Sequence, residues 1–288
     1  MRDTSTLAEI HDSSSALQAD ARSKLAIFVF VALAFVWAWG VGFVATQVKA
    51  YSPGLNVALM IVAGFGPSLA GFAVVAFFSS PAGLRDWARR CLNWRVGWRW
   101  FVLAFLAPPA VMVCALAIHA ALVGELPAWP ASGHIPLAIA NFGFVLLIGG
   151  PLGEEFGWRG YLMPAISANL NWRAASLVIG VVWGLWHLPL FYMADTAQSQ
   201  MAIPVFMLNI LAGSVMFGWL FERTLGSVLP ALVLHTSLNA WAGILAIVPT
   251  AATGRPYALV TVLLVLVATA LLLTPARVGR KSAAPSAE

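Results

Sequence analysis

The sequence predicts an all-α protein, a polytopic membrane bundle of about eight transmembrane helices. Of its 288 residues, 61% are hydrophobic and 9% are charged, and its mean hydropathy is +0.87. Soluble domains carry about 25% charged residues, so this composition is typical of an integral membrane protein. Transmembrane strands alternate in polarity along the chain, and the apolar stretches of this sequence do not. We therefore expect helices rather than a barrel.

Eight apolar runs account for the predicted helices. In chain order they are 25–47, 55–78, 100–123, 135–153, 174–194, 202–221, 228–248 and 257–274. About 20 apolar residues cross the hydrocarbon core of a bilayer, so each run is long enough to span it. The first run is too long for the apolar region of a signal peptide, and we expect it to remain as a membrane anchor.

The distribution of basic residues predicts an orientation with both termini in the cytoplasm. If all eight runs span the membrane, only Lys49 and Arg255 of the 16 Lys and Arg residues fall on the opposite side. Such an excess marks the cytoplasmic loops of membrane proteins. The net charge of +5 then reflects loops that meet anionic membrane lipid, and it gives no indication of a nucleic acid partner. We expect an integral protein of a bacterial-type cell membrane.

Four parts follow from these runs: a cytoplasmic tail at 1–24, N-terminal transmembrane helices at 25–134, a core at 135–248, and a last helix with a basic tail at 249–288. Within the second part, residues 79–99 interleave tryptophan with arginine, as an interfacial amphipathic helix does. We interpret this segment as an anchor at the membrane surface, and the alternative is a ledge on which a substrate docks. Residues 276–288 are small and basic, and we expect them to be disordered.

A break is predicted near the end of the fourth run, where Gly149, Gly150 and Pro151 stand together. Proline is well placed in the first turn of a helix and poorly placed in its interior. We therefore predict a kink, followed by a helix that continues to about Leu162 and stops before Pro164.

Three charged residues, Glu154, Glu155 and Arg159, follow this break and interrupt an uncharged stretch. Ionisable residues at membrane depth are costly, so they suggest a function. Residues four apart share a helix face, whereas neighbours diverge by about 100°. Glu155 can therefore pair with Arg159 while Glu154 is left free to act as a general base. The alternative is a structural ionic lock of both glutamates with Arg159.

Two histidines and an asparagine stand in later apolar runs. Trp183 and Trp186 flank His187 at helical spacing, and a single membrane histidine is often only a hydrogen-bonded packing residue. His235 and Asn239 are four apart and share a face, so they can present an imidazole and an amide to one point. They could serve there as oxyanion donors or as part of a metal shell. The alternative for this pair is hydrogen bonding between helices.

Taken together, Glu154, His187 and His235 predict one hydrolytic site. In the predicted topology all three lie toward the cytoplasmic half of the bundle, and three unrelated packing features at similar depth are less expected than one site. The sequence contains no His-Glu-x-x-His zinc helix, no Gly-x-Ser-Gly turn and no Gly-x-Gly-Asp motif. The chemistry that remains is glutamate and histidine acting on water.

These residues resemble the motifs of the CAAX prenyl protease 2-like intramembrane endopeptidases, also called the CAAX-protease and bacteriocin-processing family. The family motifs are Glu-Glu-x-x-x-Arg, Phe-x-x-x-His and His-x-x-x-Asn. Here they stand as Glu154-Glu155-x-x-x-Arg159, Trp183-x-x-x-His187 and His235-x-x-x-Asn239. The resemblance covers about residues 135–245. It departs from the family at Trp183, where phenylalanine is usual, and this aromatic exchange is expected to reshape the pocket without removing a catalytic group.

The resemblance implies an endopeptidase that works inside the membrane. Glu154 and His187 would activate a water molecule for attack on a peptide carbonyl. His235 and Asn239 would stabilise the resulting oxyanion. The substrate would be a membrane-associated peptide or protein, prenylated or of the leader type, that reaches the site from the cytoplasmic side.

The resemblance leaves the cofactor open, because the family has been described both as metal-dependent and as a glutamate-type peptidase. Glu154, His187 and His235 match the ligand count of a zinc hydrolase. They come from three helices, however, and no two histidines are four residues apart. We therefore favour a site without a metal, and zinc or another divalent cation is the alternative. The resemblance gives Glu155 and Arg159 a supporting role.

Two other functions remain as alternatives. One is a non-catalytic membrane protein that confers immunity or serves as a scaffold, and the three intact motifs argue against it. The other is a proton-coupled transporter in which Glu154 and His187 relay protons. Transporters of that kind contain paired broken helices, and none is expected from this sequence.

Overall fold

A computed structural model describes residues 4–126, 135–249 and 254–275, and within these ranges every regular element is a helix and no strand occurs. The α-helices are α1 (Thr4–Val48), α2 (Pro53–Gly64), α3 (Gly66–Phe78), α4 (Pro81–Leu92), α5 (Trp98–Val123), α6 (Ile135–Ile148), α7 (Pro151–Gly157), α8 (Met163–Ser167), α9 (Trp172–Trp186), α10 (Ile203–Arg223), α11 (Leu229–Ile244) and α12 (Arg255–Leu272). Short 3-10 helices follow α9 at Leu188–Tyr192 and Ala197–Gln200. The predicted all-α class is confirmed.

The structure is that of an integral membrane protein with several candidate spans. In the described part of the chain, five helices are long and apolar enough to cross a membrane, or up to seven if each of two bent helix pairs is one span. The first of them, Ala21–Val48, is the apolar part of α1, which extends without a break to Thr4. The seventh predicted run contains α11, whose 16 residues are fewer than the roughly 20 that cross a bilayer core. The prediction that 276–288 is disordered lies outside the described residues.

Two of the predicted runs are bent. The second run is divided at Phe65 into α2 and α3, which meet at 45°, and Pro67 stands in the first turn of α3. The fourth run is divided between α6 and α7, which meet at 40°. Gly150 at this second break has a φ of +109°, which is readily accessible only to glycine. The predicted kink is therefore present, and the expectation of no paired broken helices is wrong.

The sequence predicted that the helix after this break stops before Pro164. That prediction is wrong, because the helical chain continues past the proline. A π-helical turn at Trp158–Leu162 follows α7, and α8 then carries Pro164 in its first turn and ends at Ser167. A proline ring crowds the carbonyl four residues earlier in an ordinary α-helix. In the wider turn the N–H of Met163 reaches back to the carbonyl of Trp158, so the chain continues past the proline. Turns of this kind are frequent at functional sites, and this one carries Arg159.

Close backbone contact fixes the position of α7 in the bundle. This helix packs against α3, α6 and α11. A Cβ atom on Gly157 would lie 2.2 Å from the carbonyl oxygen of Pro67, and one on Gly153 would lie 2.5 Å from that of Gly64. Because neither position has room for a side chain, the backbones of α7 and of the α2–α3 pair touch, and the depth of α7 is set by this contact.

Polar groups fasten the start of α9 to the end of α12. The side chain of Asn171 caps α9 by accepting hydrogen bonds from the N–H groups of Arg173 and Ala174, each at 3.0 Å. The Arg173 guanidinium donates to the carbonyl of Leu272 at 2.8 Å and also to that of Thr274. A cation is favourable at the C-terminal end of a helix, because the last carbonyls there lack partners within the helix.

Candidate active site

A cavity of about 600 Å³ lies among α7, α9, α10 and α11. Its wall includes all four predicted catalytic residues, Glu154, His187, His235 and Asn239. Most of the remaining wall is apolar, with Met112, Phe144 and Leu264 among its members. The structure thus brings together at one cavity polar residues that the sequence distributes over three helical segments.

Glu154 lies in the first turn of α7, directly after the break at Gly150. Its side chain is buried, with an exposed fraction of 5%. One carboxylate oxygen, Oε2, accepts a hydrogen bond of 2.5 Å from the indole Nε1 of Trp183. The other oxygen, Oε1, lies over Gly150, where a Cβ atom would be 2.7 Å away. The positive φ therefore favours glycine at position 150, and a side chain there would displace the Glu154 carboxylate.

Glu155 is the centre of a buried charge network. Its Oε1 accepts hydrogen bonds from Arg159 Nη1 at 3.1 Å and from His235 Nδ1 at 2.8 Å. The arginine contact is the pair that the four-residue spacing predicts. The histidine contact joins residues 80 positions apart and was not predicted. Since an ionised carboxylate can only accept, Nδ1 of His235 carries the proton, and the ring is oriented by Glu155.

Aromatic rings complete the surroundings of Arg159, which is almost fully buried. Its guanidinium carbon lies 4.8 Å from the ring centre of Trp183 and 4.2 Å from that of Phe217. A cation over an aromatic face is stabilised by about 2 kcal/mol or more when water is excluded. Arg159 Nη2 and Glu155 Oε2 make no hydrogen bond to any described residue. The buried charges are therefore held by a few contacts, and the loss of one partner should be costly.

His187 caps the C-terminal end of α9, close to Pro189. Its Nδ1 lies 2.8 Å from the backbone oxygen of Trp183. A carbonyl only accepts hydrogen bonds, so Nδ1 is the protonated nitrogen, and Nε2 of the neutral ring keeps a lone pair. This is the tautomer that a general base requires. The ring also packs against Trp186 and Phe206, and it interacts electrostatically with Glu154.

Trp183 contacts four polar residues of the site: Glu154, Arg159, His187 and His235. Beyond its hydrogen bond to Glu154, its ring centre lies 5.8 Å from that of His187 and 5.4 Å from that of His235. The sequence analysis treated this residue only as an aromatic exchange. Tryptophan has an indole N–H group that phenylalanine lacks, and this donor was the signal available in the sequence. The acceptor, Glu154, is 29 residues away, so only the fold identifies it.

Asn239 lies one turn beyond His235 on α11 and is exposed to the cavity. The two side chains line the same wall, as their four-residue spacing predicts. An amide N–H₂ group offers two donors without a change of charge, so Asn239 can bind a developing oxyanion at any pH at which the protein is folded.

The site does not provide the ligands of a three-residue metal centre. In the described ranges, no group of three His, Cys, Asp or Glu side chains is arranged to hold a metal ion. The set Glu154, His187 and His235 that a zinc hydrolase would use therefore does not fit a zinc ion here. That the reaction needs no metal stays a prediction, and removal of metal by a chelator would test it.

Two comparisons with known proteins bear on the site. Residues 136–241 match the sequence profile of the Rce1-like family, described as type II CAAX prenyl endopeptidase. CAAX prenyl protease 2 of Methanococcus maripaludis is 24% identical over 203 residues, which are 67% of this chain and 74% of that protein. The matched family segment runs from the beginning of α6 into α11 and includes every predicted site residue.

Proposed function

Because this chain belongs to the Rce1-like type II CAAX prenyl endopeptidase family, a family of proteases, we propose that it is an intramembrane endopeptidase in which Glu154 and His187 activate the attacking water. The family inferred from the three motifs is thereby confirmed. The observation that supports the mechanism is that Glu154, His187, His235 and Asn239 line the same cavity.

The proposed reaction begins with a water molecule between Glu154 and His187. As the water oxygen bonds to the peptide carbonyl carbon, one proton passes to the Glu154 carboxylate, and His187 Nε2 accepts a hydrogen bond from the same water. The carbonyl oxygen becomes an oxyanion. When the tetrahedral intermediate collapses, the C–N bond breaks and the proton held by Glu154 passes to the leaving amine. The products are a free amine and a carboxylic acid, which gives its remaining proton to His187 Nε2 and leaves as a carboxylate.

The oxyanion is stabilised in this proposal from α11. Asn239 donates through its amide. His235 donates through Nε2 when its ring is protonated, and the Glu155 carboxylate at 2.8 Å from Nδ1 is the group that balances the charge of that ring. Donors that are fixed in advance contribute about 2.7–4 kcal/mol each to a transition state of this kind. Glu155 and Arg159 therefore support catalysis through His235.

Trp183 has a positioning role in this proposal. Its N–H group holds Oε2 of Glu154 at 2.5 Å, so that the other carboxylate oxygen is left to receive the proton of the water. A buried carboxylate on a short helical turn would otherwise be free to rotate about its side-chain bonds, and a small misplacement of a catalytic group is costly in rate.

The proposed substrate is a peptide of a membrane-associated protein. The name of the relative from Methanococcus maripaludis specifies a prenyl protease, so a prenylated C-terminal peptide is the first substrate to test, and a leader-type peptide is the second. The predominantly apolar cavity wall is compatible with either when the peptide is presented from the membrane. Access from the cytoplasmic side follows from the predicted orientation and belongs to the proposal.

Peptide cleavage by the purified, reconstituted protein tests this function. Wild type should cleave, and Glu154→Gln should lose activity by about 10²–10⁴-fold, the usual contribution of a general base, while its thermal unfolding midpoint stays close to that of wild type. Glu125→Gln, at an exposed position outside the site, is the matched control and should cleave normally. Normal cleavage by Glu154→Gln would refute the mechanism. Proton flux into liposomes without cleavage of any peptide would favour the transporter alternative.

A further inference from the structure

A second cavity, of about 650 Å³, lies between α4, the segment that follows it and the turn that joins α10 to α11. Its wall contains four arginines, Arg85, Arg89, Arg90 and Arg95, and we call it the arginine cleft. It shares no residue with the catalytic cavity. We propose that the arginine cleft binds the phosphate headgroup of an anionic membrane lipid.

The charges of the arginine cleft favour an anion. The wall carries four guanidinium groups, and one of them, that of Arg89, forms an exposed ion pair of 3.1 Å with the carboxylate of Asp86. Arg90 Nε is buried and makes no hydrogen bond to any described residue. A guanidinium group presents several N–H donors in one plane and binds phosphate oxygens two at a time. A phosphate in the cleft would supply acceptors to donors that the protein itself leaves unused.

The rim of the arginine cleft indicates a lipid rather than a soluble phosphate. Leu92 and Trp94 both belong to the cleft and are 63% and 66% exposed. Trp98, at the start of the candidate span α5, is also exposed. Exposed tryptophans beside a span are typical of the level of the lipid headgroups, where apolar rings and basic groups are both stabilised. The guanidinium of Arg95 lies 5.4 Å from the Trp94 ring centre, so charge and aromatic surface are joined in one patch.

The arginine cleft is connected to the helices that carry the catalytic residues. The backbone oxygen of Arg90 accepts a hydrogen bond of 3.0 Å from the N–H of Val228, and that of Asn93 accepts one of 2.5 Å from the Ser227 hydroxyl, directly before α11. On the other face of α4, the indole of Trp87 donates to the backbone oxygen of Phe156 in α7 at 3.3 Å. A lipid bound in the cleft should therefore stabilise the folded bundle as a whole.

Lipid binding by the full chain tests the proposal. The purified protein in neutral detergent is titrated with phosphatidylglycerol and, separately, with phosphatidylcholine, and bound lipid is counted by native mass spectrometry. Wild type should bind phosphatidylglycerol with at least about tenfold preference. The variant Arg90→Gln/Arg95→Gln should lose that preference, whereas Arg22→Gln/Arg255→Gln, which removes the same charge at exposed positions outside the cleft, should keep it. Equal binding of both lipids by wild type, or an unchanged preference in the cleft variant, would overturn the proposal.

A thermal measurement separates the two sources of phosphate and guards against misfolding. Phosphatidylglycerol should raise the unfolding midpoint of wild type and not that of the cleft variant, because a ligand that binds only the folded state stabilises it. Inorganic phosphate at the same concentration should have no effect, and an equal rise with inorganic phosphate would overturn the lipid assignment. If the Arg90→Gln/Arg95→Gln variant does not fold, Arg85→Gln/Arg89→Gln, at two exposed side chains, takes its place. None of these measurements depends on the proposed peptidase activity.

Discussion

The hydrogen bond from Trp183 to Glu154 can be removed with little change of shape by Trp183→Phe. The substitution deletes the indole N–H that lies 2.5 Å from Glu154 Oε2 and keeps an aromatic ring in the centre of the site. Phenylalanine is also the residue that the family motif usually carries, so we expect the variant to fold. What it loses is the group that holds the carboxylate in place.

The expected effect follows from the kind of bond that is lost. A hydrogen bond to a charged group contributes about 1.5–3 kcal/mol, and each 1.4 kcal/mol corresponds to a factor of ten. If the bond positions Glu154 for water activation, kcat should fall by about 10- to 150-fold. KM should stay close to the wild-type value, because the bond acts on the catalytic base and not on the bound peptide.

The assay is steady-state cleavage of a fluorogenic peptide by the reconstituted protein. Trp37→Phe is the matched control, because its indole also donates a hydrogen bond, at 2.9 Å to the backbone oxygen of Val62, and it lies outside the site. This control should retain wild-type kcat. A Trp183→Phe variant with wild-type kcat would refute the positioning role. A rise in KM at constant kcat would show that Trp183 contacts the substrate instead.

Three further predictions concern stability and metal. Glu155→Gln should lower the free energy of unfolding by about 3–5 kcal/mol, because it leaves the Arg159 charge buried without its partner; a denaturation midpoint equal to that of wild type would contradict the buried ion pair. Gly157→Ala should lower the free energy of unfolding by about 1–3 kcal/mol, because the added Cβ would lie 2.2 Å from the carbonyl oxygen of Pro67. The control Gly143→Ala, whose Cβ has nothing within 4 Å, should unfold like wild type. Equal denaturation midpoints for the two variants would contradict the close contact of α7. Cleavage should survive exhaustive chelation, and elemental analysis should find no stoichiometric zinc. Loss of activity on stripping, followed by recovery with added zinc, would overturn the metal-free mechanism and leave the peptidase proposal intact.

The fold class and the residues that form the site could be predicted from the sequence, because both depend on local patterns. Hydropathy identifies apolar helices wherever they lie, and helical spacing places Glu155 next to Arg159 and His235 on the same face as Asn239. The number of spans was harder to predict. A helix in the interior of a bundle, such as α11, is apolar without being long enough to cross a bilayer, and composition alone does not separate the two cases.

The contacts that organise the site could not be predicted, because they join distant parts of the chain. The bond from Trp183 to Glu154 spans 29 positions, and that from His235 to Glu155 spans 80. Such contacts depend on how α7, α9 and α11 are packed. The π-helical turn was missed for a related reason. Pro164 was interpreted as the end of a helix, and only the hydrogen bonds of the turn before it show that the chain continues.

Orientation in the membrane and the link to bacteriocin processing or immunity stay predictions. The excess of arginine and lysine on one side supports cytoplasmic termini, and accessibility labelling of single cysteines placed near Lys49 and Arg85 would test it, since the two positions should face opposite sides. The two bent helix pairs remove one argument against a transporter, so the case against transport now rests on the family and on the cleavage assay.

The central claim is that Glu154 and His187 act on one water molecule, and a double-mutant cycle tests it most directly. The turnover of wild type, Glu154→Gln, His187→Asn and the double variant is measured in the same reconstituted preparation, with thermal unfolding as the check on folding. If both groups activate the same water, the double variant should be scarcely slower than the slower single variant, because either loss already disables the step. Losses that multiply in the double variant would show that the two residues act in separate steps, and they would contradict the account.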